Sequence, residues 1–503
     1  MTRRLTRTLQ LLAGVLVLTA HVGSPDTFFE GTAGPYRIRV IVRPPGIVPG
    51  LADITVRVLD GPHLQSVLVL PLRGGRPTAL EPPPDTAKPV PGDPAVFNAQ
   101  LWLMEGGAYS VRVDVSGTAG SGFAIVPVNS IATRRLDLDP PLAAALLGLG
   151  AFLLAGALTI VGAAVRESVL PPGVEPDGAR RRRSWWVRAA AAPLLGLAVF
   201  GGKAWWDGED ASHASSLYHP MRVATTIADG GGGTSLRLAI TDSEWLNRQY
   251  TPLIPDHGKL MHLFLVRSDG AALAHLHPVM QDSSTFVAAL PPLPPGSYRL
   301  YADVVHESGF TQTLVDSITV ATASATWRAS DPDDSWWEAG QFSPAGLRLF
   351  SKLADGSALT WFRDTTPLVV GQDQELRFAV TGPDAKPTVL EPYMGMPSHA
   401  VIVRDDGAVF VHLHPAGTIT MASQLVYALR QPGDTVRGRL GQRITESERT
   451  GHVMTPAFGD PGIVSFPYAF PQPGRYHLWV QVKRRGRILT GSFNAKVDST
   501  SPS

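Results

Sequence analysis

Two stretches decide how this chain folds. The first is Pro255-Asp-His-Gly-Lys-Leu-Met-His262-Leu-Phe-Leu-Val-Arg-Ser-Asp-Gly270-Ala-Ala-Leu-Ala-His275-Leu-His277-Pro278. The second is Pro392-Tyr-Met-Gly-Met-Pro-Ser-His399-Ala-Val-Ile-Val-Arg-Asp-Asp-Gly407-Ala-Val-Phe-Val-His412-Leu-His414-Pro415. They align without a gap and share 12 of 24 positions, among them three histidines apiece. Each sets Asp-Gly between two short apolar runs, the strongest local signal for a β-hairpin with a two-residue type I′ turn. Closing the first there pairs Phe264 with His275 and His262 with His277. Side chains two apart on a strand share a face, so His262, His275 and His277 project to one side. The same count gathers His399, His412 and His414.

That geometry has a chemical consequence. Opposed Cβ atoms lie ~4.5–5.5 Å apart and diagonal ones ~7–8 Å. Three imidazoles can converge from there on an ion at bond lengths of ~2.0–2.1 Å. The expectation is therefore two three-histidine metal sites, His262/His275/His277 and His399/His412/His414, at the open end of a largely buried hairpin. Imidazole triads suit copper or zinc, and thioether neighbours favour Cu⁺. His257 precedes the first hairpin, and Met394 and Met396 stand at the corresponding place in the second; these three join the candidate ligands. Met261, Met280 and Met421 are close in sequence. Asp303, His306 and Glu307 could add donors to the first site, whereas their counterparts are Gln481 and the basic Arg484-Arg485. The two sites should differ in charge and affinity.

Strand signals extend outward from the hairpins. Tyr36-Arg-Ile-Arg-Val-Ile-Val and Ile54-Thr-Val-Arg-Val-Leu alternate with period two. Gly107-Ala-Tyr109, Gly296-Ser-Tyr298 and Gly474-Arg-Tyr476 each open an alternating run, the pattern of a tyrosine corner in immunoglobulin-like sandwiches. The fold class expected is mainly β, with three antiparallel sandwich modules at 27–135, 218–322 and 341–498. A polar linker, 323–340, carries Asp331-Pro-Asp-Asp-Ser, and Met421–Leu429 reads as one short helix. The first module offers little chemistry beyond a lone His63.

Membrane signals lie between the first two modules. Leu142–Val165 is 24 residues without a charge, long enough to cross ~30 Å of hydrocarbon. A second apolar run, Ala189–Gly202, is bracketed by Trp185-Trp186 and Trp205-Trp206 in the manner of interfacial belts. Spans at 140–165 and 189–206 would leave 166–188, with Arg180–Arg183, as a basic cytoplasmic loop by the positive-inside rule. Residues 1–24, a basic start and a short apolar run, read as a signal peptide or anchor. The expected place is the cell's inner membrane, multi-pass, with the bulk of the chain extracytoplasmic.

Composition narrows the function. The chain has 503 residues, 44% hydrophobic and 17% charged, with a net charge of +1, which removes any general case for nucleic-acid binding. Cysteine is absent, excluding disulfides, thiolate metal sites, blue-copper centres and cysteine nucleophiles.

The strings His-Leu-Phe-Leu-Val, His-Leu-His-Pro and Pro-Gly-x-Tyr-x-Leu, with Trp479-Val-Gln-Val-Lys and Leu489-Thr-Gly, resemble a group of uncharacterised exported bacterial proteins with paired histidine-bearing modules. That resemblance covers about 250–500 and implies handling of copper or other heavy metals. More loosely, the sandwiches resemble periplasmic copper carriers of the copper-resistance type, though without their histidine at a mature N-terminus. The triad layout also resembles the ligand arrangement of carbonic anhydrase, in geometry alone. The expected function is a membrane-anchored metal-binding protein that buffers, senses or delivers copper, with zinc as the alternative ion. Its partners would be the membrane, the ion and an envelope protein. The rival readings are an envelope interaction protein with packed histidines and a metal-dependent enzyme; no catalytic constellation is visible.

Overall fold

Period-two alternation predicts strands, and strands dominate. The structure is a computed structural model that describes residues 26–60, 64–73, 82–215, 217–230, 233–322, 327–339, 349–364, 366–431, 434, 438–450 and 462–499. The expected leader 1–24 and His63 lie outside the described residues. The chain divides into two units, one holding Met1–Ile131 with Pro220–Ser503 and the other Ala132–His219.

In the first unit the sheets pair across three apolar cores. The N-terminal sheet runs in the order Thr27–Ala33, Tyr36–Arg43, Gly50–Asp60, Asp93–Leu103, Lys88–Val90. It shares a core with Leu64–Leu72, Gly107–Gly117 and Gly120–Ser130, through Val40 and Ile54 on one side and Val69 and Val113 on the other. The next core joins the sheet Val223–Gly230, Gly233–Ile240, Thr285–Ala289 to the sheet of the first hairpin. There His262–Arg267 lies between Gly296–His306 and Ala272–Leu276. The last core joins Ala358–Phe362, Gln374–Thr381 and Ile463–Tyr468 to the sheet of the second hairpin, where His399–Arg404 lies between Gly474–Arg484 and Phe410–Leu413. Tyr298 Oη donates to the Pro294 carbonyl and Tyr476 Oη to the Gln472 carbonyl, each at 2.7 Å and four residues upstream. Both are tyrosine corners.

The hairpin registers follow the alternation, with Phe264 opposite His275 and Val401 opposite His412. Their turns differ from expectation. Gly270 N bonds to the Arg267 carbonyl and Gly407 N to Arg404, with φ of 72° and 76° at the two glycines and no positive φ at Asp269 or Asp406. These are type I turns followed by a left-handed glycine. The Asp side chains accept from the backbone N–H two residues on, which holds that form. The type I′ geometry appears earlier, at His257-Gly258 (φ 53° and 76°) and Met394-Gly395 (φ 50° and 79°).

Residues 263 and 265, and 400 and 402, point into their own sandwiches. The opposite faces meet: Phe264, Val266, Leu273 and Tyr301 form one cluster with Val401, Val403, Phe410 and Trp479. The two hairpins therefore pack face to face. Contacts at their tips are reciprocal. A Cβ on Gly270 would meet the His477 ring at 2.6 Å, and one on Gly407 the Arg299 side chain at 2.6 Å. Both glycines are required twice, for their φ and for space.

Two boundaries move, and one short helix falls where expected. The expected linker is not free: Ser335–Glu338 adds an edge strand to Ala272–Leu276, and Asp334 is buried. Met421–Leu429 is helical (α3 here), capped by Thr420 accepting from Ser423 N, and a further helix, α4, covers Arg439–Arg449. In the second unit, α1 is Pro140–Glu167 and α2 is Gly178–Ser215. Only 168–177 separates them, so Arg180–Arg183 sit in the first two turns of α2 rather than in a loop. The best 18-residue windows of α1 and α2 have mean hydropathy of 2.3 and 1.2 and no buried residue. Both are long and apolar enough to cross a bilayer. Ser184 Oγ donates to the Gly162 carbonyl at 2.7 Å, joining the two helices.

Candidate metal centre

Seven of the 14 histidines in the sequence meet where the two hairpins pack. The paired strands supply His262, His275, His399 and His412, the residues just past their ends supply His277 and His414, and the left-handed turn at His257 supplies the seventh. Ligand atoms of His262, His275 and His277 lie within 4.8 Å of one another. His257, His399 and His414 form a second all-histidine set that close, and His277, Asp331 and Asp334 a third, mixed one. The expected partner His412 stands outside the second set, with its Nδ1 3.5 Å from the Asp303 carboxylate. His257 takes its place because the type I′ turn directs it across the interface, its ring 5.6 Å from His399 and 5.3 Å from His414. The cluster is also not at an open end. All six hairpin histidines are buried.

Hydrogen bonds running outward fix the protons on the first triad. His262 Nε2 donates to the Asp256 carbonyl at 3.1 Å, leaving Nδ1 bare. His275 Nδ1 donates to Gln481 Oε1 at 2.9 Å, with the Gln481 amide donating to Ser335 and Thr490; its Nε2 is bare. His277 Nδ1 donates to Asp334 at 3.1 Å, and Nε2 has no protein partner. The bare His262 Nδ1 and His275 Nε2 are 3.3 Å apart. In the second set His414 Nδ1 donates to the Ile419 carbonyl at 3.0 Å. His257 Nε2, His414 Nε2, His412 Nε2 and both His399 nitrogens have no protein partner. Unpartnered buried polar nitrogens are costly, about 1–3 kcal/mol each.

Burial favours the uncharged form of His257, His262, His275, His399, His412 and His414. Desolvation lowers His257 and His414 to about 4, with neighbouring imidazolium repulsion adding to it. The same cause holds His262, His275, His399 and His412 well below the ordinary histidine value. Neutral imidazole is the form that offers a lone pair.

The other candidates separate. His306 is a satisfied structural residue: Nδ1 donates to the Thr251 carbonyl, Nε2 accepts from Gln312, and Tyr250 stacks on its ring. Glu307 accepts from Gly438 N and Gly441 N and so holds the start of α4. Neither is a donor to the first triad. Asp303 alone of that trio approaches the cluster, with its carboxyl pushed up to about 7 by burial. Its strand position is taken by Gln481 in the second copy, as pairing to His262 and His399 shows. Met396 packs in an apolar cluster with Ile254, Met421 and Tyr427, and Met261 lies in the core of its own sandwich. Met394 occupies the turn position equivalent to His257 and is buried; Met280 is exposed.

Several residues around the cluster carried no sequence signal. Asp334 also accepts from His277 N at 2.7 Å and from Asp331 N at 3.0 Å, yet it sits in a run that reads as linker. Tyr393 Oη lies 3.2 Å from His275 Nδ1 and 3.2 Å from the Asp333 carbonyl. The loop after His414 is gripped by the first module. Glu30 N bonds to the Ala416 carbonyl, Thr418 N to the Phe28 carbonyl and Phe28 N to Thr418 Oγ1, at 2.8–3.0 Å. Ile419 packs into the first module's core. This gives the first module a positioning role at the second triad that its own composition did not disclose.

Fold and cluster together describe a multi-module β protein with a buried histidine centre between two related modules. Residues 221–322 and 352–499, the two hairpin modules, match the model of a domain of unknown function, DUF8832. No curated protein matches the sequence. Among solved structures, a tetra-tandem repeat from the extending region of a large adhesion protein is similar at 9% identity and TM-score 0.16, over 90% of this chain and 71% of that one. The FN1-FN3 domains of chicken CNTN1 are similar at 9% identity and TM-score 0.13, over 90% and 97%. A Salmonella alpha-2-macroglobulin reacted with methylamine shows 9% identity and TM-score 0.19, over 95% of this chain and 24% of that chain. At these scores the likeness carries no argument about function.

Proposed function

We propose that this is a membrane-anchored, extracytoplasmic metal-binding protein that holds copper or zinc ions in its two histidine triads and buffers, senses or hands them on. One observation carries the reading. In the first triad His262 Nε2 and His275 Nδ1 are engaged outward, which turns His262 Nδ1 and His275 Nε2 inward to within 3.3 Å of each other. Two ring nitrogens at that distance share either a proton or a metal ion. Nitrogens bound at ~2.0–2.1 Å to one tetrahedral ion are about 3.3–3.4 Å apart. The all-imidazole donor set suits copper or zinc. Asp334 on His277 is the carboxylate–histidine pairing that orients metal ligands and raises their basicity.

We read the three sheet pairs as immunoglobulin-like sandwiches and α1–α2 as the tether in the inner membrane. The chain before and after that hairpin belongs to one unit. A two-span hairpin returns the chain to the side it left, and the basic Arg180–Arg183 favour a cytoplasmic 168–177 turn.

The test is metal counting on the full chain in detergent, stripped with a chelator and dialysed against Cu²⁺ or Zn²⁺. At least one ion per chain is expected, reduced when His262→Ala and His277→Ala are combined. Less than one ion, unchanged by that pair, overturns the proposal and favours packed histidines.

A further inference from the structure

We infer that the two triads hold a pair of ions as one binuclear centre, rather than as two independent sites; this rests on the metal-binding reading above. The triads share walls. The His262 ring lies 6.2 Å from His257, and His275 lies 6.5 Å from His399, each pair crossing from one triad to the other. His412 stands between them, 5.3 Å from His262, 5.5 Å from His275 and 5.3 Å from His399. Its Nε2 is buried and has no protein partner, a seventh imidazole nitrogen available to the pair.

The repeat explains how this arises. Two independent hairpin sites would each be built within its own module. Here the second set takes His257 from the first hairpin module and His399 and His414 from the other, so it closes only when the modules are docked. Ligands of one ion are therefore packed directly against ligands of the other.

Two cations that close repel, and two buried carboxylates, Asp256 and Asp334, and a partly buried one, Asp303, stand around them. Asp256 places its carbonyl on His262 and a carboxylate oxygen 4.0 Å from His257 Nε2. Asp303 faces His412 at 3.5 Å, and Asp334 faces His277 at 3.1 Å. Each triad thus has an acid beside one of its rings and the histidine between them has a third, a distribution that offsets charge in a low-dielectric site.

The experiment loads the full chain with Cu²⁺ and compares copper content with the spin count by electron paramagnetic resonance. The expected result is two coppers per chain, a half-field transition, and a spin count below the copper content. His262→Ala with His277→Ala removes one triad and should leave one copper with an ordinary uncoupled signal. His399→Ala with His414→Ala gives the converse variant, so a folding failure in one does not remove the test. Two coppers whose spins are fully uncoupled, or a single copper lost by either pair of substitutions, overturns the binuclear proposal while leaving metal binding intact. Binding of no copper or zinc overturns the metal reading itself.

Discussion

Asp334→Asn isolates what a buried carboxylate does for one triad. Asp334 is fully buried and makes three contacts: the His277 backbone N at 2.7 Å, His277 Nδ1 at 3.1 Å and the Asp331 N at 3.0 Å. Asparagine keeps the shape and one carbonyl oxygen, so His277 retains an acceptor on Nδ1 and its proton placement. Two things are lost. The negative charge behind the imidazole disappears, and an amide NH₂ now faces the Asp331 N–H. Removing such an orienting partner lowers metal affinity about 10–100-fold, or about 1.4–2.8 kcal/mol. A buried charge-assisted hydrogen bond of about 1.5–3 kcal/mol gives the same range. The second triad supplies the control, because His414 Nδ1 rests on a neutral carbonyl, that of Ile419, and Asp334 does not touch it. Competition against a chromophoric chelator should show the first ion weakened about 10–100-fold, with the second unchanged within a factor of about 3. Unchanged affinity for both ions, or equal losses at both, would refute the argument that Asp334 acts through His277.

Further outcomes follow from other parts of the structure. The folded-state values of His257 and His414 lie near 4 against 6.5 for the free group, so the unfolded chain binds more protons between those limits. Stability of the metal-free protein is full above about pH 6.5 and falls toward pH 4, by up to about 3 kcal/mol per ring, as denaturant titrations at each pH would record. Gly417 has φ 111°, and a Cβ there would meet the Phe28 carbonyl at 2.0 Å. Gly417→Ala should cost about 1–3 kcal/mol and weaken the second ion while sparing the first; equal affinities before and after would count against the clamp. Gly270→Ala, pressed on the His477 ring, should lower the melting temperature by a comparable amount and more than Gly371→Ala, which also has positive φ but meets nothing within 4 Å. The cysteine-free sequence makes labelling clean: Lys496→Cys should react with an impermeant thiol reagent from outside the inner membrane, and Val174→Cys only after permeabilisation. The reverse pattern would invert the proposed orientation.

Much of this protein was legible from local pattern. Alternation placed the strands and set both hairpin registers, and the His-x-His spacing put two imidazoles of each copy on one face. The helix at Met421–Leu429 and the long apolar runs of α1 and α2 were also readable, because capping, periodicity and uncharged length are properties of adjacent residues. The equivalence of Asp303 and Gln481 followed from the repeat alone.

What the chain could not announce was which histidines belong together. A type I′ turn at His257-Gly258, rather than at Asp269-Gly270, sends His257 into the other module's set and leaves His412 between the two. Asp334, read as linker, becomes an orienting acid only because Ser335–Glu338 adds to the hairpin sheet. The first module's hold on the loop after His414 depends on contacts nearly 400 residues apart in sequence. Neighbouring residues determine strands, turns and faces; the donor set was decided by docking one module on another, because apolar faces far apart in the chain bury one another and carry their histidines with them.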